Sequence, residues 1–161
     1  MNFFTLMFLR HGESVGNAEG YYQGQQDFQL TRRGRNQIRR LVSRWQVDGT
    51  SIDQIITSPL TRAKDTAEII SQALDCPVEI DPDWRERDMG LLTGIKRQSA
   101  DDVIPRPEFF TPYDNMAETG EGNWALYLRA GRAIQHILQR PPARYLIVSH
   151  GGILNQALHV V

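Results

Sequence analysis

Four short apolar runs punctuate this chain, and amphipathic stretches separate them. Residues 3–9 form the first run, which stops at Arg10-His11-Gly12. Residues 52–57 form the second, ending in Thr57-Ser58-Pro59, and residues 76–80 the third, broken by Asp81-Pro82-Asp83. Residues 145–149 form the fourth, ending in Ser149-His150-Gly151. Runs of this length suit buried strands. Strands alternating with helical patterns predict an α/β fold of three layers, α/β/α, around a mostly parallel central sheet.

The intervening stretches carry helix signals. Thr31 is a plausible N-cap, and Ile38, Leu41, Val42 and Trp45 recur at helical spacing after it. Ser58-Pro59 reads as the start of a helix continued by Leu60, Ala63, Ala67, Ile70 and Leu74. A further helix is predicted from Trp124 to about Arg140, with Trp124, Tyr127, Leu128, Gly131, Ile134 and Leu138 as its face, stopped by Pro141-Pro142. The last follows His150-Gly151-Gly152. Residues 12–30 read as loop. Residues 84–121 are irregular, and Pro105, Pro107 and Pro112 forbid a long helix there.

In a parallel sheet, ligands bind beyond the carboxyl ends of the strands. That edge would gather Arg10 and His11 from the first strand, Arg62 from the helix after the second, and His150 from the fourth. A neutral imidazole is a competent nucleophile toward phosphorus when one nitrogen is free and the other is held by a hydrogen bond. A neighbouring carbonyl would hold the second nitrogen of His11, and nearby arginines disfavour its imidazolium. Arg10 and Arg62 can neutralise the oxygens of a transferring phosphoryl group. His150 would donate from the opposite side, and the Gly151 amide opens a helix N-terminus that suits an anion. Glu86 is the candidate proton carrier. On position alone, a lone His11 reads also as a structural histidine, Arg62 as an exposed helix arginine, His150 as a turn residue, and Glu86 as a partner of Arg85 or Arg87.

Composition narrows the partners. Eighteen basic residues face nineteen acidic ones, for a net charge of −1, which argues against nucleic-acid binding driven by bulk charge. All but Lys64 and Lys96 of the basic residues are arginine, whose planar fork of donors suits phosphate. No segment approaches the ~18 apolar residues of a membrane helix, and no positive region precedes the opening apolar run. With a single cysteine, Cys76, the expectation is a cytoplasmic protein with no disulfide framework. His11, His136, His150 and His159 form no zinc spacing, and no metal or cofactor is expected.

Together these residues resemble the histidine phosphatase superfamily, the phosphoglycerate-mutase-like fold. The match runs through Leu9-Arg10-His11-Gly12-Glu13-Ser14, Asn17, Leu30-Thr31-Arg32-Arg33-Gly34, Thr57-Ser58-Pro59-Leu60-Thr61-Arg62-Ala63 and Thr66-Ala67. It continues through Arg85-Glu86-Arg87-Asp88-Met89-Gly90, Gly94, Gly120-Glu121 and Val148-Ser149-His150-Gly151-Gly152. The resemblance implies that His11 is the phosphorylated nucleophile and Glu86 the proton donor. It implies that Arg10, Arg62, Asn17 and His150 bind the phosphoryl group with the Gly151 amide, and that Gln23 and Gly24 line the substrate entrance.

The implied activity is a metal-independent phosphomonoester hydrolase acting on a small phosphorylated metabolite. Two alternatives accompany it: a phosphoglycerate mutase, and a catalytically silent phosphate-ligand or protein-binding module on the same fold. Mutases carry a longer segment between acid and second histidine, with extra basic residues for a carboxylate. Here Glu86 and His150 are 64 positions apart, and the candidates are Lys96, Arg97, Arg106, Arg129, Arg132, Arg140 and Arg144. Met89 stands where mutases tend to have tyrosine, and Gln23-Gly24 looks more like the broad-specificity phosphatases. Gly122 replaces a frequent serine, which weakens the cap of the following helix. The expected organisation is a single domain over residues 1–161, truncated at its C-terminal end inside its last helix, with residues 95–120 as a substrate lid. Phe109, Phe110 and Tyr113 would give that lid an apolar contact surface or a packing role.

Overall fold

The structure, a computed structural model, describes residues 3–105 and 109–161. Its strands are β1 (Thr5–Arg10), β2 (Gln54–Thr57), β3 (Val78–Ile80) and β4 (Arg144–Ser149). Its helices are α1 (Val15–Ala18), α2 (Arg32–Asp48), α3 (Thr61–Leu74), α4 (Ala100–Val103), α5 (Asn123–Leu138) and α6 (Gly151–Val160). Short 3₁₀ turns lie at Pro82–Trp84, Gly90–Leu92 and Arg97–Ser99. The sheet order is β1-β4-β2-β3, and every pairing in it is parallel.

Alternation along the strands divides the core into two layers. Leu6, Phe8, Ile56, Tyr145 and Ile147 point to one face, where they pack with Leu126, Ala130, Ala133 and Ile137 of α5 and Ile153 of α6. Met7, Leu9, Ile55, Leu146 and Val148 point to the other, against Ile38 and Val42 of α2 and Ala63, Ala67 and Ile70 of α3. A strand buried on both faces reads as a continuous apolar run, which is why these runs lack polar alternation. The predicted three-layer α/β/α fold is the observed one.

Three local expectations change. The helix after β2 starts at Thr61, not at Ser58; Leu60 is its N-cap and supplies no side-chain hydrogen bond. The third strand is shorter than residues 76–80, because only Val78–Ile80 joins the ladder with β2. α5 buries Leu126, Arg129, Ala130, Ala133, Ile134 and Ile137, a face rotated from the predicted one, with which it shares Ile134. Trp124, Leu128 and Leu138 of that predicted face are 46–51% exposed. Alanines let α5 approach the sheet and Ala157 of α6 closely, and weighting by bulk pointed to the wrong side. Two expectations hold in detail: Thr31 caps α2 by accepting from the Gly34 amide, and Gly122 caps α5 without any side-chain bond. Pro107 and Arg106 lie outside the described residues.

Strand register assembles the site. Arg10 pairs with Ser149 across β1 and β4, and Thr57 with Val148 across β2 and β4. Two further backbone bonds carry the ladder past the strand ends: His11 N–H to Ser149 O (3.0 Å) and Ser58 N–H to Val148 O (3.1 Å). His11, Ser58 and His150 therefore leave three adjacent strands at one level. Among the described residues no helix is long and apolar enough to cross a membrane.

Candidate active site

A cleft of about 270 Å³ opens at this edge, lined among others by Arg10, His11, Asn17, Gln23, Gly24, Arg62 and Glu86. His11 is buried, and its Nδ1 lies 2.7 Å from the carbonyl oxygen of Gly12. A carbonyl only accepts, so Nδ1 carries the proton and Nε2 keeps its lone pair. The pKa of His11 falls from 6.5 to about 4. Burial is the largest cause, and the cations of Arg62 and Arg10 add to it against the Gly12 hydrogen bond. The arginine effect expected from sequence is present, but desolvation outweighs it.

His150 is fully buried, with its ring centroid 5.1 Å from that of His11. Its Nε2 sits 2.8 Å from Ser58 Oγ, and its Nδ1 has no hydrogen-bond partner among the described residues. Burial first, then Arg62, His11 and Arg10, hold its pKa well below the ordinary 6.5. A buried polar atom left without a partner costs roughly 1–3 kcal/mol, which a bound oxygen would relieve. Ser58, read from sequence as a helix cap, is instead the residue against which His150 is set; it also accepts from the Leu60 amide at 3.2 Å.

Arg62 is 1% exposed, which excludes its reading as a surface helix arginine. Its terminal nitrogens donate to Gln26 O and Gly24 O, each at 2.8 Å, and its Nε is unpartnered. Burial lowers its pKa to about 10 while Glu86 and Asp27 pull upward, so it stays a cation at neutral pH. Gly24 is required in this arrangement: it has φ +50°, and a Cβ there would stand 2.8 Å from Thr93 Oγ1. Arg10 is exposed at the rim, and its side chain forms no hydrogen bond or ion pair with the described residues. Gly151 opens α6, where first-turn amides have no partner within the helix, and a Cβ on it would lie 3.9 Å from the Arg10 guanidinium.

Asn17 and Gln23 are tied to one hydroxyl. Ser14 Oγ lies 2.9 Å from Asn17 Oδ1 and 2.7 Å from Gln23 Oε1, and its single proton serves one of the two; the Ser14 amide also donates to Asn17 Oδ1 at 3.2 Å, which leaves the Asn17 amide nitrogen available to the cleft. Glu86 makes no ion pair with Arg85 or Arg87 among the described residues. Its carboxylate accepts from two backbone amides, Arg87 at 2.7 Å and Gly152 at 3.2 Å, the latter in the first turn of α6. Glycine at 152 lets the Glu86 carboxylate keep this position: a Cβ there would fall 2.3 Å from Glu86 Oε1 and push it aside.

Tyr22, Arg87, Met89, Arg97, Met116 and Gly152 complete the lining. Residues 20–22 and 94–97 bring Tyr22 and Arg97 there through backbone bonds between Tyr22 N–H and Ile95 O and between Arg97 N–H and Gly20 O. Among the described residues of the predicted lid, only Arg97 and Met116 reach this cleft; Phe109 and Tyr113 are 80% and 72% exposed. Of the basic candidates, Arg97 alone lines the cleft, and Arg106 lies outside the described residues. Asp81, Asp83 and His136 hold ligand-type atoms within 4.8 Å of one another, away from the cleft lining. Both oxygens of Asp83 are taken by Arg132, at 2.6 and 2.7 Å.

Comparison with known proteins places this geometry. The family model for the histidine phosphatase superfamily (branch 1) matches residues 6–161. A probable phosphoglycerate mutase GpmB of Cronobacter sakazakii is 39% identical over 154 residues, 91% of this chain and 69% of that protein. A putative alpha-ribazole-5'-P phosphatase of Escherichia coli K-12 is similar in structure, with a TM-score of 0.79 and 28% identity over 95% of this chain and 76% of that one. A mycobacterial glucosyl-3-phosphoglycerate phosphatase, in complex with VO3, has a TM-score of 0.79 and 26% identity over 94% of this chain and 78% of its own.

Proposed function

The chain belongs to the histidine phosphatase superfamily (branch 1), and from that premise we propose that it is a phosphomonoester hydrolase whose nucleophile is Nε2 of His11. One observation carries the reading: the Gly12 carbonyl fixes the proton on Nδ1, and burial keeps the ring neutral at physiological pH. His11 therefore needs no base to activate it. Arg10, Arg62, His150, Asn17 and the Gly151 amide surround the phosphoryl group, and Gln23 and Gly24 border the substrate entrance.

In the first step the His11 Nε2–P bond forms as the ester P–O bond breaks. The departing alkoxide takes a proton from Glu86. In the second, water attacks phosphorus, its proton passes to the Glu86 carboxylate, and the P–N bond breaks to release inorganic phosphate. Arg10 and Arg62 stabilise charge on the transferring oxygens in both steps; removing such a donor costs about 10²–10³ in rate. The chemistry assigns no step to a metal. The solved phosphatases similar to this chain support hydrolysis.

A mutase reading has its own support in the name of the Cronobacter relative and in Arg87 and Arg97, two further cations on the cleft wall. Assay of an aryl phosphate with and without chelator, beside bisphosphoglycerate-dependent interconversion of 3- and 2-phosphoglycerate, separates the two. Hydrolysis that survives chelator, is lost in His11→Ala and exceeds interconversion is expected. Faster interconversion establishes the mutase. Retention of most activity in His11→Ala overturns the mechanism, and binding without turnover leaves the silent module.

A further inference from the structure

The segment that carries Glu86 belongs to no helix longer than one turn and to no strand. Its backbone is held by a side chain from α5. Arg129 is buried at 8% exposure, in the middle of the helix face that packs on the sheet. Its Nη1 donates to Asp83 O and Arg85 O, both at 2.7 Å, and its Nη2 to Glu86 O at 3.3 Å. Nε and Nη2 then grip the Glu121 carboxylate at 2.8 and 2.5 Å. All five guanidinium N–H groups thus have acceptors, three of them carbonyls of one short segment.

We propose that Arg129 is a positioning residue: it sets the Glu86 peptide so that the carboxyl reaches the α6 N-terminus beside His11. The proposal rests on the reading of Glu86 as the proton donor. Two neighbouring bonds act to the same end, Gln25 Nε2 to Glu86 O at 3.1 Å and Glu121 N–H to Asp88 O at 2.9 Å. Neither holds three carbonyls of the segment at once, as Arg129 does. The Glu121 carboxylate orients the guanidinium and balances its charge inside the protein, as buried ions require. Arg129 is not among the residues that line the cleft.

A residue that acts through the acid affects substrates unequally. An ester with a good leaving group departs without protonation, whereas an alkyl ester needs the proton. The test compares kcat/KM for p-nitrophenyl phosphate and β-glycerophosphate in the parent chain, Glu86→Gln, Arg129→Lys, Glu121→Gln and Glu86→Gln/Arg129→Lys. Lysine keeps a charge for Glu121 and cannot span three carbonyls. We expect Arg129→Lys to slow the alkyl ester by on the order of 10²-fold, the scale of a small misplacement, and to leave the aryl ester nearly unchanged. In the double variant the added substitution should not alter the ratio further. Equal slowing of both esters, or a loss matched by a fall in folded fraction on circular dichroism, overturns the proposal. If Arg129→Lys does not fold, Glu121→Gln decides in the same way: a selective loss supports the clasp and an equal one overturns it. A Glu86→Gln variant with an unchanged ratio overturns the acid itself, and the proposal with it. A changed ratio in Glu86→Gln, with none in the Arg129 or Glu121 variants, overturns only the proposal.

Discussion

Protonation of His11 is set by its surroundings before any substrate arrives. The folded imidazole takes up its proton near 4, whereas an ordinary imidazole does so near 6.5. As pH falls, the unfolded chain binds that proton first, so stability is complete above about 6.5 and declines toward 4. The decline amounts to roughly 3 kcal/mol for His11 alone. His150 is shifted in the same direction and adds to it. Denaturant unfolding at pH 7 and pH 4.5 measures the loss, and His11→Asn should shrink it. A ¹⁵N titration of the free protein should find His11 neutral at pH 5.5 with its proton on Nδ1; titration near 6.5 contradicts the account. These residues were legible in the sequence because they sit at strand ends beside glycines. Ser58 as the partner of His150 was not, since the two are 92 positions apart and only strand register joins them. The role of Arg129 was hidden in the same way, its carbonyl acceptors lying 43–46 positions upstream.

Helix faces show where periodicity succeeds and where it misleads. On α2 and α3 the bulky residues mark the buried side, and Ile38, Val42, Ala63, Ala67 and Ile70 are all inside. On α5 Trp124, Leu128 and Leu138 look outward, while Leu126 is buried: Trp124 stacks on Tyr127 at 5.8 Å between ring centroids, and Tyr113 packs against Trp124 at 5.9 Å. The close approach of α5 to α6 selects alanine for the inner side, and a hydrophobicity pattern gives alanine little weight. Leu126→Ala should therefore cost about 2–5 kcal/mol, and Leu128→Ala within about 0.5 kcal/mol. Thermal or denaturant unfolding of the two variants ranks them, and the reverse order would contradict the assigned face. The start of α6 gives a sharper case. Gly152→Ala would drive a methyl into the Glu86 carboxyl, the end of a flexible side chain that can swing away. Activity on an alkyl phosphate should fall at least about tenfold, the smaller end of what misplacing a catalytic group costs, with little change in melting temperature. Unchanged activity would show that Glu86 works from another position.

At the scale of the molecule, a parallel sheet does most of the placing. β4 lies between β1 and β2, so the two histidines and the loop leading to Arg62 emerge side by side from adjacent strands. The alternation of apolar runs made this sheet edge legible before any distance was known. What it did not supply is the depth of the site. Arg62 and His150, written as ordinary polar residues after short runs, are 1% and 0% exposed. That depth converts a surface cluster of cations and imidazoles into a dry seat for an anion, where charge interactions are strong. The net charge of −1 conceals it, because Glu121, Asp83 and Glu79 answer arginines elsewhere. The central claim is a covalent phosphoryl group on His11 during turnover. Rapid quench of the protein with a phosphomonoester, followed by peptide mass spectrometry under alkaline conditions, reads it directly. An acid-labile adduct on the His11 peptide that forms and decays at the rate of turnover, and is absent from His11→Ala, is the predicted result. Turnover with no adduct on His11, or with one on another residue, would contradict it.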